Sequence, residues 1–212
     1  MGYDMFIETV PDDEAATVRA AEEAFNAAVR ARDTLNLPPG HADCVTAQEE
    51  VERAYEALRE ADTSYFRLNI WGMSHYCEVM EQLGMVVTGY EAPPFPHEPD
   101  GVSREEIEAF GDRTPGSGLP VRPEVVAYWK QLHAHLSWHL EPAFGIALHK
   151  FCSNDGWLVT PEEIAAALES YRVHNAEEVK VIVGGDAEEL DYWTQWIAYL
   201  QRAQHRDGFR VW

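Results

Sequence analysis

Positive charge is what this chain lacks most. Its 212 residues hold 16 lysines and arginines against 37 acids, a formal charge of −21. A field of that sign repels DNA, RNA and anionic membranes, which argues against direct nucleic-acid binding and against membrane association. It attracts cations, basic proteins and the nucleic-acid-binding surfaces of other proteins. Cysteine is nearly as scarce. Cys44, Cys77 and Cys152 are odd in number and show no short pair spacing. A disulfide framework is therefore excluded as the organising principle, and reduced thiols in the cytoplasm are the expectation. No apolar run approaches the ~18 residues that cross a bilayer. The opening MGYDMFIETV lacks the basic region and cleavage site of a leader, and Phe6 breaks the myristoylation pattern after Gly2. Phosphate loops, a dinucleotide fingerprint, a GxSxG elbow, zinc-finger spacing, internal repeats and low-complexity tracts are all missing.

What is present is enough apolar matter, 46% with 11% aromatic, to fill the core of one domain spanning 1–212. Tyr3, Met5, Ile7 and Thr9 alternate with polar neighbours and predict a first strand near 3–9. Acids at 12–14 open a helix reaching about Leu35, and Asn36-Leu37-Pro38-Pro39-Gly40 stops it. A second helix is expected from Thr46, with Glu49 closing a capping box, to about Ala61, completing a helical hairpin. Strand is expected over 64–70 and helix from Trp71 to Leu83, closed by Gly84. Residues 85–122 read as a long Pro/Gly-rich loop holding one short helix capped by Ser103. Pro123 starts a helix predicted to reach about Leu140. Residues 142–155 read as irregular. Thr160-Pro161-Glu162-Glu163 and Asp186 with Glu189 each launch a helix. Gly208 precedes a closing strand over 208–212. Together these predict a predominantly helical α+β fold, six or seven helices packed with a small antiparallel sheet of short strands.

Convergent polar chemistry is concentrated between Val126 and Trp157. On a helical wheel His135 and His139 flank an apolar stripe of Val125, Trp129, Leu132, Leu136 and Leu140, and residues four apart can share a metal. His149 is the candidate third ligand and a divalent metal the implied cofactor. Equally, such histidines suit the edge of a core. The turn HKFCSNDGW offers His149, Lys150, Asn154, Asp155 and Trp157 as ligand-binding candidates, with Lys150 or His149 facing an anion. The same Asn-Asp-Gly run is also a tight-turn signal needing no ligand. Cys152 lies three residues from His149, a separation that fixes no nucleophile–base geometry. Trp129, Trp193 and Trp196 fit apolar stripes. Trp71, Trp157 and Trp212 do not, and one of them is a candidate pocket wall.

The segment HKFCSNDGWLVTPEEI, with YWTQWIAYLQRA and the final GFRVW, resembles a group of uncharacterised bacterial and phage proteins carrying an SNDGW-x-VTP-E segment and a GFRV-like end. The resemblance spans about a quarter of the chain and brings no known activity. It implies a bacterial or phage cytoplasmic origin. A column of Glu49, Glu52, Glu56 and Glu60 runs along one side of the second helix; it is a solvated face or a docking surface. The expected function is that of an acidic interaction or regulatory protein docking on a protein partner, one with basic or nucleic-acid-binding character. The alternatives are a small-molecule binder or metal-dependent enzyme between the His135/His139 helix and the 149–157 turn, and a DNA-mimic inhibitor.

Overall fold

A computed structural model describes residues 2–38, 40–111 and 122–212. The fold is predominantly helical α+β. Four strands form an antiparallel sheet: β1 (Gly2–Ile7), β2 (Tyr65–Asn69), β5 (Trp157–Val159) and β6 (Phe209–Val211), in the order β2-β1-β6-β5. The two remaining strands, β3 (Val86–Val87) and β4 (Ile146–Ala147), pair parallel to each other. The helices are α1 (Asp12–Thr34), α2 (Ala42–Ala61), α3 (Ile70–Gln82), α4 (Arg104–Gly111), α5 (Pro123–Leu136), α6 (Pro161–Arg172), α7 (Ala176–Val183) and α8 (Ala187–Ala203). A 3-10 turn covers Leu148–Phe151.

The alternation read in the first strand is what orients the sheet. Met5 and Ile7 face inward and are buried, while Phe6 between them is 45% exposed. Met5 sits opposite Phe66 on one side and Val211 on the other, so one row of side chains crosses three strands. Asp4 and Trp212 exchange backbone hydrogen bonds of 2.7 and 2.8 Å, which joins the two ends of the chain at the middle of the sheet. α8 covers the inner face. Its Trp196 and Tyr199 rings lie 5.3 and 5.5 Å from Phe66 and 5.9 and 5.3 Å from Phe209. Trp193 meets Tyr76 of α3 at 5.2 Å, and α6 adds Ile164, Ala167 and Leu168 to the same core. A fully buried tryptophan removes about 150–250 Å² from water, roughly 4–6 kcal/mol before conformational entropy is deducted.

α1 and α2 stand apart from this body. They pack chiefly on each other, Phe25 lying 5.8 Å from Tyr55. No residue of α1 is buried, and of α2 only Val51 is. The feet of the hairpin rest on the end of α8: Arg206 grips Glu14 with two bonds of 2.7 and 2.6 Å, and Arg202 Nε donates to the Thr63 carbonyl at 3.1 Å.

The expected strands and the helix starts at Thr160 and Asp186 are present, and several details differ. α2 begins at Ala42, where the His41 ring accepts from the Asp43 N–H at 3.3 Å, rather than at Thr46. α5 ends at Leu136, about one turn before Leu140. α7 is an additional helix, capped by Asn175 and Glu178 in a reciprocal box. Its Val179-Lys180-Val181-Ile182-Val183 run is β-branched, so propensity argued against it until packing of Val179 and Val183 in the core decided for helix. β5 has only three residues, too few to show a period. Within the expected loop, Ser103 and Glu106 cap α4 as predicted, and residues 112–121 lie outside the described ones.

Gly208 is needed for the return from α8 to β6. Its φ is +86°, and a Cβ there would lie 2.1 Å from the Val159 carbonyl oxygen on the neighbouring strand. Both the torsion and the space exclude a side chain. Gly208→Ala is expected to destabilise the protein by more than about 2 kcal/mol, read as a lowered urea midpoint at unchanged slope. Gly40→Ala, which meets nothing within 4 Å, serves as the neutral comparison.

Candidate functional site

The 149–157 turn hangs on a buried ion pair. Lys150 emerges from the 3-10 turn into the interior and is completely inaccessible to water, as is Glu163. Its Nζ donates to the Leu158 carbonyl and to Glu163 Oε2, both at 2.6 Å. Glu163 is the third residue of α6 and closes that helix's capping box, Oε2 accepting from the Thr160 N–H at 3.0 Å. Its other oxygen accepts from the Ala147 N–H at 3.4 Å. One carboxylate thus joins β4, the 3-10 turn, β5 and α6. Burial pulls the Lys150 ammonium below its ordinary value, and the Glu163 charge and hydrogen bond oppose that pull. Lys150 was expected to face an anionic ligand. It is instead directed into the core, because the turn places it opposite Glu163, the one fully buried carboxylate among the described residues.

Trp157, buried on β5, gathers the other predicted residues around its ring. His149 lies 4.7 Å away edge-on and His135 of α5 4.8 Å away, with Phe95 5.9 Å from Trp157 and 4.3 Å from His135. Trp138 closes the far side of His149 at 5.7 Å. Both ring nitrogens of His149 and Nε2 of His135 are shielded from water and have no hydrogen-bond partner among the described residues. Burial pushes His149 down to about 4, assisted by the Lys150 charge and by His135. Burial also lowers His135, and nearby Asp155 opposes the shift. The result is a pair of neutral imidazoles in an aromatic wall. They can exchange hydrogen bonds with a small polar group, and at neutral pH they carry no charge for an anion.

Other candidates are placed elsewhere or occupied. His139 lies beyond the end of α5, so the i,i+4 pairing expected with His135 does not form. Its Nδ1 meets the Ser137 carbonyl at 3.2 Å and its Nε2 meets Glu141 at 3.4 Å. Among the described residues no three His, Cys, Asp or Glu side chains are arranged to hold a metal ion. Asn154 donates its side-chain amide to the Gly2 carbonyl at 2.8 Å, tying the turn to β1. Gly156, at φ +86°, packs beneath Trp212, whose ring would lie 2.6 Å from an added Cβ. Cys152 is exposed and only grazes the Leu148 carbonyl at 3.5 Å.

A pocket of about 710 Å³ lies away from this cluster, between the β2–α3 corner and the α7–α8 junction. Arg67, Trp71, His75, Tyr76, Glu188 and Tyr192 form much of its wall; of the residues singled out in the sequence as candidates for a site, Trp71 lines it, and neither the histidine candidates nor the 149–157 turn does. Trp71 is 85% exposed at its mouth. His75 Nε2 is held 3.1 Å from the Val183 carbonyl. Of these residues only Trp71 carried a signal in the sequence, as an aromatic outside any apolar stripe. His75, Tyr76 and Tyr192 look like ordinary helical residues until α3 and α8 are brought together.

Two measurements check this geometry. Glu163→Gln leaves a buried ammonium without a counter-charge and is expected to cost about 3–5 kcal/mol by chemical denaturation, whereas Lys150→Met with Glu163→Leu recovers much of that loss. His149 has its folded value below its unfolded one, so its contribution to stability is complete above pH ~6.5 and is lost as pH falls toward about 4. Its ring proton resonance should therefore titrate near 4, and His149→Phe should flatten the decline in urea midpoint between those pH values.

No protein-family model matches the chain, and comparison with curated proteins and with solved structures finds no match either.

Proposed function

We propose that this is an acidic docking protein of bacterial or phage cytoplasm, whose α1–α2 hairpin receives a basic protein partner. The observation that carries the reading is the hairpin itself. Two helices of 23 and 20 residues leave the body with a single buried side chain between them. At 1.5 Å per residue α1 extends about 34 Å. Helices normally gain most of their stability by burying an amphipathic face, and this hairpin presents Val45 and Tyr55 of α2 and Leu37 of the connection to solvent instead. From Asp12 to Ala61 it carries 12 acids against five arginines. Glu49, Glu52, Glu56 and Glu60 are all exposed. Charge of one sign around apolar contacts suits a basic amphipathic surface. If that surface belongs to a nucleic-acid-binding protein, the glutamate column takes the place of phosphates, the DNA-mimic case. The three cysteines are free, in keeping with a reducing compartment. No helix among the described residues is long and apolar enough to cross a membrane.

A second reading, a small-molecule site at His135 and His149, is favoured by His135 Nε2 and the two His149 nitrogens, which have no partner among the described residues. The two separate on one probe. A synthetic lysine–leucine amphipathic helix is expected to bind at low salt and weaken about tenfold or more as salt approaches the physiological range. Replacing Glu52, Glu56 and Glu60 together by Gln should weaken it further, with the circular dichroism unchanged. Binding indifferent to both salt and these substitutions would overturn the docking reading.

A further inference from the structure

We infer that the pocket beneath Trp71 is the seat for an arginine side chain projecting from a basic protein partner. This deepens the docking reading and rests on it, while using a surface separate from the hairpin.

Four observations converge. The first is Trp71 itself, which stands almost free in the first turn of α3 beside Ile70, itself 43% exposed. An indole held this way offers its face to a cation, and guanidinium planes stack on such faces. Tyr192 supplies a second aromatic wall, fixed by donation of its hydroxyl to the Arg67 carbonyl at 3.1 Å.

Charge is the second. Asp186, Glu188 and Glu189 line the pocket against one cation, Arg67. Arg67 is turned toward Asp4 on the adjacent strand, 3.6 Å away, which reduces its opposition. Asp186 is occupied in capping α8, accepting from the Glu188 N–H at 2.8 Å, and Glu189 folds back over Gly184. Among the described residues Glu188 has no side-chain partner. It is the carboxylate left for an incoming guanidinium.

Tyr76 is the third. This residue is 94% buried and forms part of the pocket wall, with its hydroxyl closed off from water and, among the described residues, without a hydrogen-bond partner. Its enclosed oxygen is not offered to a ligand; what the residue gives the pocket is aromatic surface. His75, the fourth, already has Nε2 engaged at 3.1 Å with the Val183 carbonyl and lies in the wall as a further polar surface. Aromatic faces and a free carboxylate match a planar, multiply donating cation better than they match an anion or an apolar group.

The test uses the full chain and a capped peptide of alternating glycine and arginine, titrated calorimetrically at low salt, with the indole N–H resonance of Trp71 followed in parallel. Trp71→Ala and Glu188→Gln alter exposed side chains, so both should keep the fold. Each is expected to weaken binding about three- to tenfold, and the Trp71 resonance should shift on titration of the unaltered protein. If the peptide binds but these variants bind it like the unaltered chain, the pocket assignment is overturned and the hairpin alone docks the partner. If they lose binding while the Glu52/Glu56/Glu60 glutamine variant does not, the pocket stands and the hairpin reading falls. Absence of binding to the unaltered chain overturns the assignment outright.

Discussion

A lysine ammonium with no access to water, 2.6 Å from a carboxylate equally enclosed, is the constraint around which this molecule is arranged. Either charge alone in that interior would be strongly unfavourable, so each requires the other to arrive in register. Arrival demands that the 3-10 turn, the edge strand β5 and the first turn of α6 come together at one point. Leu158 and Ala147 complete the arrangement by offering backbone groups to the remaining hydrogen-bonding positions. The segment between His149 and Glu163 is therefore tied to the core by buried hydrogen bonds near both ends. That anchoring sets Trp157 under His135 and His149, and it aligns β5 for pairing with the C-terminal strand.

Around this point the body is built from aromatic layers, and its two ends close on each other. The first and last strands are neighbours in the sheet, so the final residues are structural members. Arg206 and Arg202 extend the same logic outward. They emerge just beyond or near the end of α8 and hold the two feet of the hairpin, so the projection is anchored to the best-packed helix of the core. The acidic hairpin and the Trp71 pocket both depend on α8, one on its C-terminal end and the other on its first turns.

Much of the architecture was legible because local chemistry and tertiary packing agree. Thr160 with Glu163, Ser103 with Glu106 and Asp186 announce helices that need only a short stretch of chain to specify. The first strand was legible from its alternation alone. Where the two levels part, the sequence misleads in understandable ways. On a wheel His139 flanks the apolar stripe of α5 beside His135, but Ser137 terminates the helix, and a wheel carries no information about where the backbone stops. Val179 to Val183 favours strand by residue type and forms helix because the capping box at Asn175 and the core beneath it outweigh propensity. Glu163 is recognisable as a capping residue, yet nothing in its spacing reveals that the same oxygen binds Lys150.

The sequence by itself determined the helical α+β class, the anionic exterior, most helix starts and the placing of polar and aromatic residues near 149–157, since each follows from composition or from interactions a few residues long. Only the tertiary structure decided that Lys150 turns inward and that, among the described residues, both ring nitrogens of His149 and Nε2 of His135 have no hydrogen-bond partner. The same is true of the pocket, where Trp71, Tyr76, Glu188 and Tyr192 surround one space. Those are relations between segments tens to more than a hundred residues apart, and burial, which sets their charge state and their availability, exists only once the segments have met.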